Sequence, residues 1–109
     1  MEIEQFLDKL GLSQYEKQTY VALLRIGRSK SQQIAKESKV SYGRIYEILE
    51  KLEQRGLISS LPTIPRSFEA IDPKISFKLI LKRKSEEITE LAGEIQKIKI
   101  PQEIIPQKI

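Results

Sequence analysis

The sequence contains neither cysteine nor histidine among its 109 residues. Disulfides, thiolate or imidazole metal sites and cysteine–histidine nucleophilic pairs are therefore excluded. We also find no paired acid and base, glycine-rich phosphate loop or cluster of metal ligands in the sequence. We therefore do not expect an enzyme, and we predict no cofactor and no metal.

Long apolar runs are absent as well, since none approaches the roughly 20 residues that a membrane span requires. Glu2, Glu4 and Asp8 give the start of the chain the wrong charge for a secretory signal. We expect a cytoplasmic protein with no membrane partner. A chain of this length has room for one compact domain and one extra element, so no second sensing domain and no small-molecule ligand are predicted.

Positive charge is concentrated in the middle of the chain. Residues 25–84 carry fourteen Lys and Arg residues but six acids, whereas the two flanking segments are each net negative. A basic surplus confined to one region is typical of a surface that binds nucleic acid.

Two helices are predicted at the start of the chain. Apolar residues spaced by three and four predict a short helix over residues 2–10, which Gly11 ends. Ser13 and Glu16 form a capping box and predict a second helix that runs to about Ile26. Its predicted inward stripe consists of Tyr20, Leu23 and Leu24.

A helix-turn-helix is predicted next. Ser29 or Ser31 is expected to cap a short helix that ends at Ser38. After a tight turn, Ser41 is expected to cap a third helix that runs to Arg55, and two helices joined in this way form a helix-turn-helix. The inward stripe of the third helix consists of Ile45, Ile48, Leu49 and Leu52.

A β-hairpin and a long helix follow. Residues 57–61 and 67–71 are β-type runs on either side of a turn with two prolines, which predicts a wing. Residues 1–72 are thus predicted to form a winged helix-turn-helix domain, mainly α with a small β-hairpin. Asp72 and Pro73 then predict the start of a helix over residues 73–100, and residues 101–109 are assigned only as a tail.

Apolar residues of the long helix recur at spacings of four and three, with Lys84 as the one polar insert. This pattern is typical of a coiled-coil seam and predicts a homodimer through the helix. The predicted dimerisation residues are Phe77, Leu81, Ile88, Leu91, Ile95 and Ile98.

The polar face of the third helix is the predicted reader of double-stranded DNA, since helix-turn-helix proteins place the start of this helix nearest the base edges. Arg44 lies in the first turn, where the helix dipole disfavours a cation, so a phosphate or a guanine would explain it. Lys51 is expected to contact phosphate, and Arg66 extends the surface into the wing. The DNA-binding candidates are Ser31, Gln32, Ser41, Tyr42, Gly43, Arg44, Glu47, Lys51 and Arg66.

Each of these features has a structural alternative. Arg44 could be a solvated surface residue, and Gly43 could mark a loose helix end. The hydroxyls of Tyr42 and Tyr46 could both bind phosphates, but Tyr42 is favoured for DNA and Tyr46 is expected to lie partly in the core. The basic run 82–84 is read first as a solvated helix face that adds non-specific attraction to DNA.

The chain resembles the N-terminal domain of the archaeal TrmB-like transcriptional regulators over roughly residues 10–80. The resemblance is carried by the strings Gly11-Leu12-Ser13-Gln14-Tyr15-Glu16, Tyr20-Val21-Ala22-Leu23-Leu24, Arg44-Ile45-Tyr46-Glu47-Ile48-Leu49, Leu52-Glu53, Gly56-Leu57-Ile58 and Phe68-Glu69-Ala70-Ile71-Asp72-Pro73. It implies sequence-specific DNA binding as a dimer, with two recognition helices on an inverted repeat. Sugar-sensing members carry a large effector domain that has no counterpart in this sequence, so ligand sensing is not carried over.

Two other functions fit the same fold. Glu47, Glu50 and Glu53 dilute the positive charge of the third helix, which would suit a protein–protein interaction module. A basic winged helix could also bind DNA without sequence preference, as an architectural protein.

Overall fold

The computed structural model describes residues 1–104, which form a winged helix followed by a long helix. The α-helices are α1 (Ile3–Lys9), α2 (Gln14–Ile26), α3 (Ser31–Ser38), α4 (Tyr42–Gln54) and α5 (Pro73–Glu94), and the strands are β1 (Ser29–Lys30), β2 (Ile58–Leu61) and β3 (Ser67–Ala70). Two short 3-10 turns, Ile95–Lys97 and Gln102–Ile104, follow α5. The predicted fold class is confirmed.

Local sequence signals place most of the helix ends. The backbone N–H of Ser13 donates to Glu16 Oε1 at 2.8 Å, and the N–H of Glu16 donates to Ser13 Oγ at 3.2 Å, which confirms the capping box. Gly56 follows α4 with φ at +81°, a conformation that glycine adopts without steric cost. Asp72 caps α5 by accepting from the N–H of Lys74 at 2.9 Å.

The core lies between α2, α3, α4 and the sheet, where α1 closes one side. Apolar side chains from all of these elements are buried together, among them Leu7, Tyr20, Leu23, Ile34, Ile45, Leu49, Leu52, Leu57, Ile58 and Phe68. The stripe predicted for α4 is buried throughout. Leu24 was predicted to face inward, but it is 36% exposed because the buried face of α2 is centred on Thr19, Ala22 and Leu23.

The cap predicted for α3 is wrong. Lys30 occupies the N-cap position, and neither Ser29 nor Ser31 caps the helix. Residues 29–30 instead form β1, which pairs antiparallel with β3, so the sheet has three strands in the order β1-β3-β2. A two-residue strand depends on its partner and has no pattern of its own. Ser41 does precede α4, but its side chain makes no capping hydrogen bond.

The α5 helix ends at Glu94, six residues before the predicted end, so the helix predicted over residues 73–100 is too long. Gly93 weakens its last turn, and the residue before Pro101 is sterically biased away from helical geometry. Ile95 therefore lies in a 3-10 turn, and Ile98 follows that turn in an extended conformation. Residues 105–109 of the predicted tail lie outside the described part of the chain.

Phe77 was predicted to belong to the dimer seam, but it packs within its own chain. Its ring stacks on Phe6 with the centroids 4.4 Å apart and lies 6.2 Å from the ring of Tyr20. Phe77 therefore fastens the start of α5 to the winged helix. Among the described residues, no helix combines the length and the apolar character that a membrane crossing needs.

Candidate nucleic-acid interface

The outer face of α4 is exposed, as its sequence pattern predicts. Residues 41–44 are exposed at the start of the helix, and Glu47, Glu50, Lys51 and Gln54 continue the surface along it. Gln32 is exposed on the neighbouring helix α3. The structure thus brings the exposed polar candidates of α3 and α4 to the surface of the helix-turn-helix.

A cluster of three hydroxyl groups joins α3 to α4. The side chain of Ser31 is buried and its Oγ donates to Tyr46 Oη at 2.8 Å. The rings of Tyr42 and Tyr46 meet edge to face, with centroids 6.0 Å apart. We call Ser31, Tyr42 and Tyr46 the hydroxyl cluster. Because Ser31 is only 3% exposed, it does not face a ligand itself but fixes the position of the Tyr46 phenol.

The other two members of the hydroxyl cluster and Arg66 of the wing all influence the phenol of Tyr46. Hydrogen bonds with Ser31 and then with Tyr42 lower the pKa of Tyr46, and the positive charge of Arg66 lowers it further. Tyr46 was expected to be partly core, yet it is 45% exposed. A more acidic phenol is a stronger hydrogen-bond donor, which suits a phosphate oxygen. The sequence offered a phosphate contact through Tyr46 only as the less favoured alternative, because nothing in the pattern links residue 31 to residue 46.

The wing is held in shape by its own polar groups. Thr63 Oγ1 donates to the carbonyl of Pro65 at 2.7 Å and lies 2.6 Å from Ser67 Oγ. The guanidinium of Arg66 stacks over the ring of Phe68 at 5.2 Å. Ile64 is 96% exposed at the turn, an apolar side chain that the sequence analysis did not single out. Its position between two prolines in a surface turn was the available signal.

The charged candidates of α4 differ in what already surrounds them. Arg44 lies 5.4 Å from the centre of the Tyr15 ring, and it forms no ion pair with any residue in the range 1–104. Lys51 Nζ, by contrast, lies 3.3 Å from Glu47 Oε1. Arg44 therefore keeps an unbalanced charge at the start of the helix, while Lys51 and Glu47 largely neutralise each other.

Comparison with known proteins gives a consistent picture. The family model described as "Sugar-specific transcriptional regulator TrmB" matches residues 7–74. The chain is 33% identical over 97 residues to the HTH-type sugar sensing transcriptional regulator TrmBL1 of Pyrococcus furiosus. This match covers 89% of the chain but 28% of the relative, so the chain spans under a third of that protein's length.

Solved structures share the fold. TrmBL2, described as an archaeal chromatin protein with a novel mode of DNA binding, superposes with a TM-score of 0.79 at 24% identity, over 86% of this chain and 36% of its own. A MarR family transcriptional regulator from Silicibacter pomeroyi gives a TM-score of 0.55 at 18% identity, over 82% of this chain and 67% of its own. These likenesses support the winged-helix fold, and the family match extends over more than half of the chain. The chain belongs to the TrmB family of transcriptional regulators.

Proposed function

We propose that this chain binds double-stranded DNA with sequence specificity and regulates transcription as a homodimer on an inverted repeat. The observation that carries the proposal is the exposed start of α4, where Arg44 forms no ion pair within residues 1–104 and the neighbouring phenol of Tyr46 is held by Ser31. These groups can contact base edges and phosphates from one surface.

In this proposal, α4 enters the major groove with its first turn nearest the bases. The guanidinium of Arg44 is unpaired among the described residues and can bind the O6 and N7 atoms of a guanine. Gly43 lies in the first turn of α4, and a Cβ built on it would meet no atom of the protein within 4 Å. Packing within the protein therefore does not require glycine there, whereas close approach of a DNA backbone would.

The hydroxyl cluster and the wing supply phosphate contacts. Tyr46 Oη is held by Ser31, and Arg66, the residue before β3, brings a positive charge to the same region. Ile64, exposed at the wing turn, can contact the sugar edges of the minor groove. Phosphate contacts fix the register of the protein on the duplex, and Arg44 then reads a base.

The exposed apolar residues of α5 support the homodimer. Leu81, Ile88 and Leu91 are 49%, 66% and 67% exposed at seam spacing on this helix, with Ile95 just beyond its end. A two-fold pairing of these surfaces would present two copies of α4, and half-sites about one helical turn apart would then match the dimer.

Sizing of the purified chain and selection from random duplexes test the proposal together. We expect a dimer that recovers an inverted repeat, with an affinity that falls steeply with salt at a slope of about −0.9 per phosphate contact. Salt-sensitive binding with no motif would show an architectural protein. A chain that binds no duplex would instead be a protein-interaction module.

Two arginine variants separate base reading from phosphate contact. We expect Arg44→Ala to lose preference at one base pair per half-site and to cost about 1–3 kcal/mol per site. Arg66→Ala should weaken all sequences alike and make the salt slope shallower by about one per subunit. Arg25→Ala is the matched control, because the guanidinium of Arg25 already lies 4.0 Å from Glu37.

A further inference from the structure

A pocket of about 140 Å³ lies between α5 and the winged helix, away from the candidate interface. Its floor is apolar and its rim is charged. The floor consists of Leu10, Leu12, Leu57 and Ile80, and the rim consists of Arg55, Arg83, Lys84 and Glu87. Lys84, the polar insert of the predicted seam, thus lines a pocket against its own chain.

The cations of the rim differ in how far they are neutralised. Arg55 Nε donates to Glu16 Oε2 at 3.0 Å, and its other nitrogens donate to the carbonyls of Leu10 and Gly11 at 3.4 Å. Arg83 and Lys84 form no ion pair with the part of the chain that the structure describes. With Glu87 as the one acid on the rim, the pocket keeps a net positive charge.

The pocket gives part of the basic run 82–84 a specific location. Arg83 and Lys84 line the pocket together with the leucines of the floor, whereas Lys78 and Lys82 of the same helix lie outside its lining. Both side chains are exposed at the rim of the pocket, so their charges are available to a ligand that enters it. The arrangement offers both a positive charge and an apolar surface to one small ligand.

We propose that this pocket binds a small monoanion with a compact apolar body, such as an aromatic carboxylate. A cavity of roughly 150 Å³ holds one aromatic ring, so the size fits a single ring on the leucine floor. The carboxylate would then accept hydrogen bonds from Arg83 and Lys84. A sugar would not fit, because the floor has no partners for its hydroxyl groups. The sequence pattern alone did not predict this site.

The test is a titration of the full chain with benzoate, without DNA, followed by calorimetry and by the backbone amide shifts of Leu12 and Leu57. We expect saturable binding, and we expect the double variant Arg83→Gln, Lys84→Gln to weaken it by about tenfold or more, because it loses charge-assisted hydrogen bonds. The matched control is Lys78→Gln, Lys82→Gln, which removes the same charge from the same helix and should stay within about twofold. All four side chains are exposed, so both variants should keep the unfolding transition of the parent chain.

Two comparison ligands make the result decisive. Benzamide has the same ring without the charge, and acetate has the charge without the ring, so both should bind more weakly than benzoate. Benzamide binding as tightly as benzoate would overturn the proposal, as would equal weakening in the two double variants. Absence of saturation with benzoate would overturn it too. None of these results depends on whether the chain binds DNA.

Discussion

The winged helix and the outer part of α5 have similar apolar side chains but opposite surroundings. Leu49 in α4 is fully buried, whereas Leu91 in α5 is 67% exposed, and every residue from 81 to 100 is exposed. The winged helix buries its leucines against several elements at once, whereas the outer part of α5, from Ile88 to Glu94, follows the last residue that lines the pocket and has only exposed residues. The comparison shows that the outer part of α5 cannot owe its helical structure to packing within its own chain, so the proposed second copy would supply that packing.

The largest expected effect comes from replacing leucine by alanine at one buried and one exposed position. Leu49→Ala should destabilise the chain by about 2–5 kcal/mol, because it removes buried methyl groups and leaves a cavity. Leu91→Ala should change the stability of the isolated monomer by less than about 0.5 kcal/mol. Chemical denaturation at low concentration measures both, and equal losses would show that α5 packs on its own body.

The second effect addresses the proposed dimer. Leu91→Lys should raise the dimer dissociation constant by roughly a hundredfold, because each copy would bury an unpaired charge in the seam, and operator binding should weaken with it. Ile95→Lys should act in the same direction. Leu79→Lys is the control, since Leu79 is an exposed leucine of α5 outside the seam. A Leu91→Lys chain that remains dimeric in light scattering would disprove the seam.

The third effect compares a buried with a more exposed glutamate. Burial raises the pKa of Glu16, but hydrogen bonds with Ser13 and the guanidinium of Arg55 outweigh it, so the pKa lies below the ordinary 4.5. The stabilisation is therefore complete above pH 4.5 and is lost as the pH falls through the lowered pKa of the folded state. We expect Glu16→Gln to cost about 1–2 kcal/mol at pH 7 and to remove this acid dependence.

Glu37→Gln is the control for Glu16. Glu37 also faces an arginine, at 4.0 Å from Arg25, but Arg25 is exposed and Glu37 is only partly buried, so the cost should stay below about 0.5 kcal/mol. The two variants are compared by denaturation curves recorded between pH 3 and pH 7, with about one curve per pH unit. If the parent chain loses no more stability in acid than the Glu16→Gln variant does, the acid-dependent stabilisation does not come from Glu16.

The smallest effect uses one glycine from each region. Gly43 in α4 and Gly93 in α5 both have open space where a Cβ would lie. Substitution by alanine should stabilise either helix by about 0.5–1 kcal/mol, because alanine restricts the unfolded chain more. Only Gly43→Ala should also weaken DNA binding, which a parallel binding titration would measure. Unchanged affinity would remove Gly43 from the proposed interface.

Sequence reasoning succeeded where the signal is local. The capping pair Ser13 and Glu16, the glycine after α4 and the Asp72-Pro73 start each act through neighbours within a few residues, so the pattern contains the cause. The inward stripe of α4 follows from helical geometry alone. The winged-helix order could therefore be predicted before any contact was known.

Several of the failures involve contacts between distant residues, whereas the early end of α5 has the local causes given above. The strand β1 exists because β3 lies beside it, and Phe77 packs against the core because Phe6 and Tyr20 reach it. The link between Ser31 and Tyr46 crosses from one helix to another, so the hydroxyl cluster had no signature in the pattern. The candidate site could thus be predicted as a helix face but not as a set of positioned groups.

The pairing of β1 with β3 has a mechanical consequence. Lys30 of β1 pairs with Ser67 of β3, and Ser67 directly follows Arg66. The helix α3 begins at Ser31, the residue after Lys30. The backbone pairing of β1 with β3 thereby joins the wing directly to the start of the helix-turn-helix and restricts the distance between them. If the wing and α4 both contact one duplex, the groove width of the DNA must match the distance between them. DNA sequences too stiff to adopt that width would then bind more weakly, even where they differ only at base pairs that the protein does not contact.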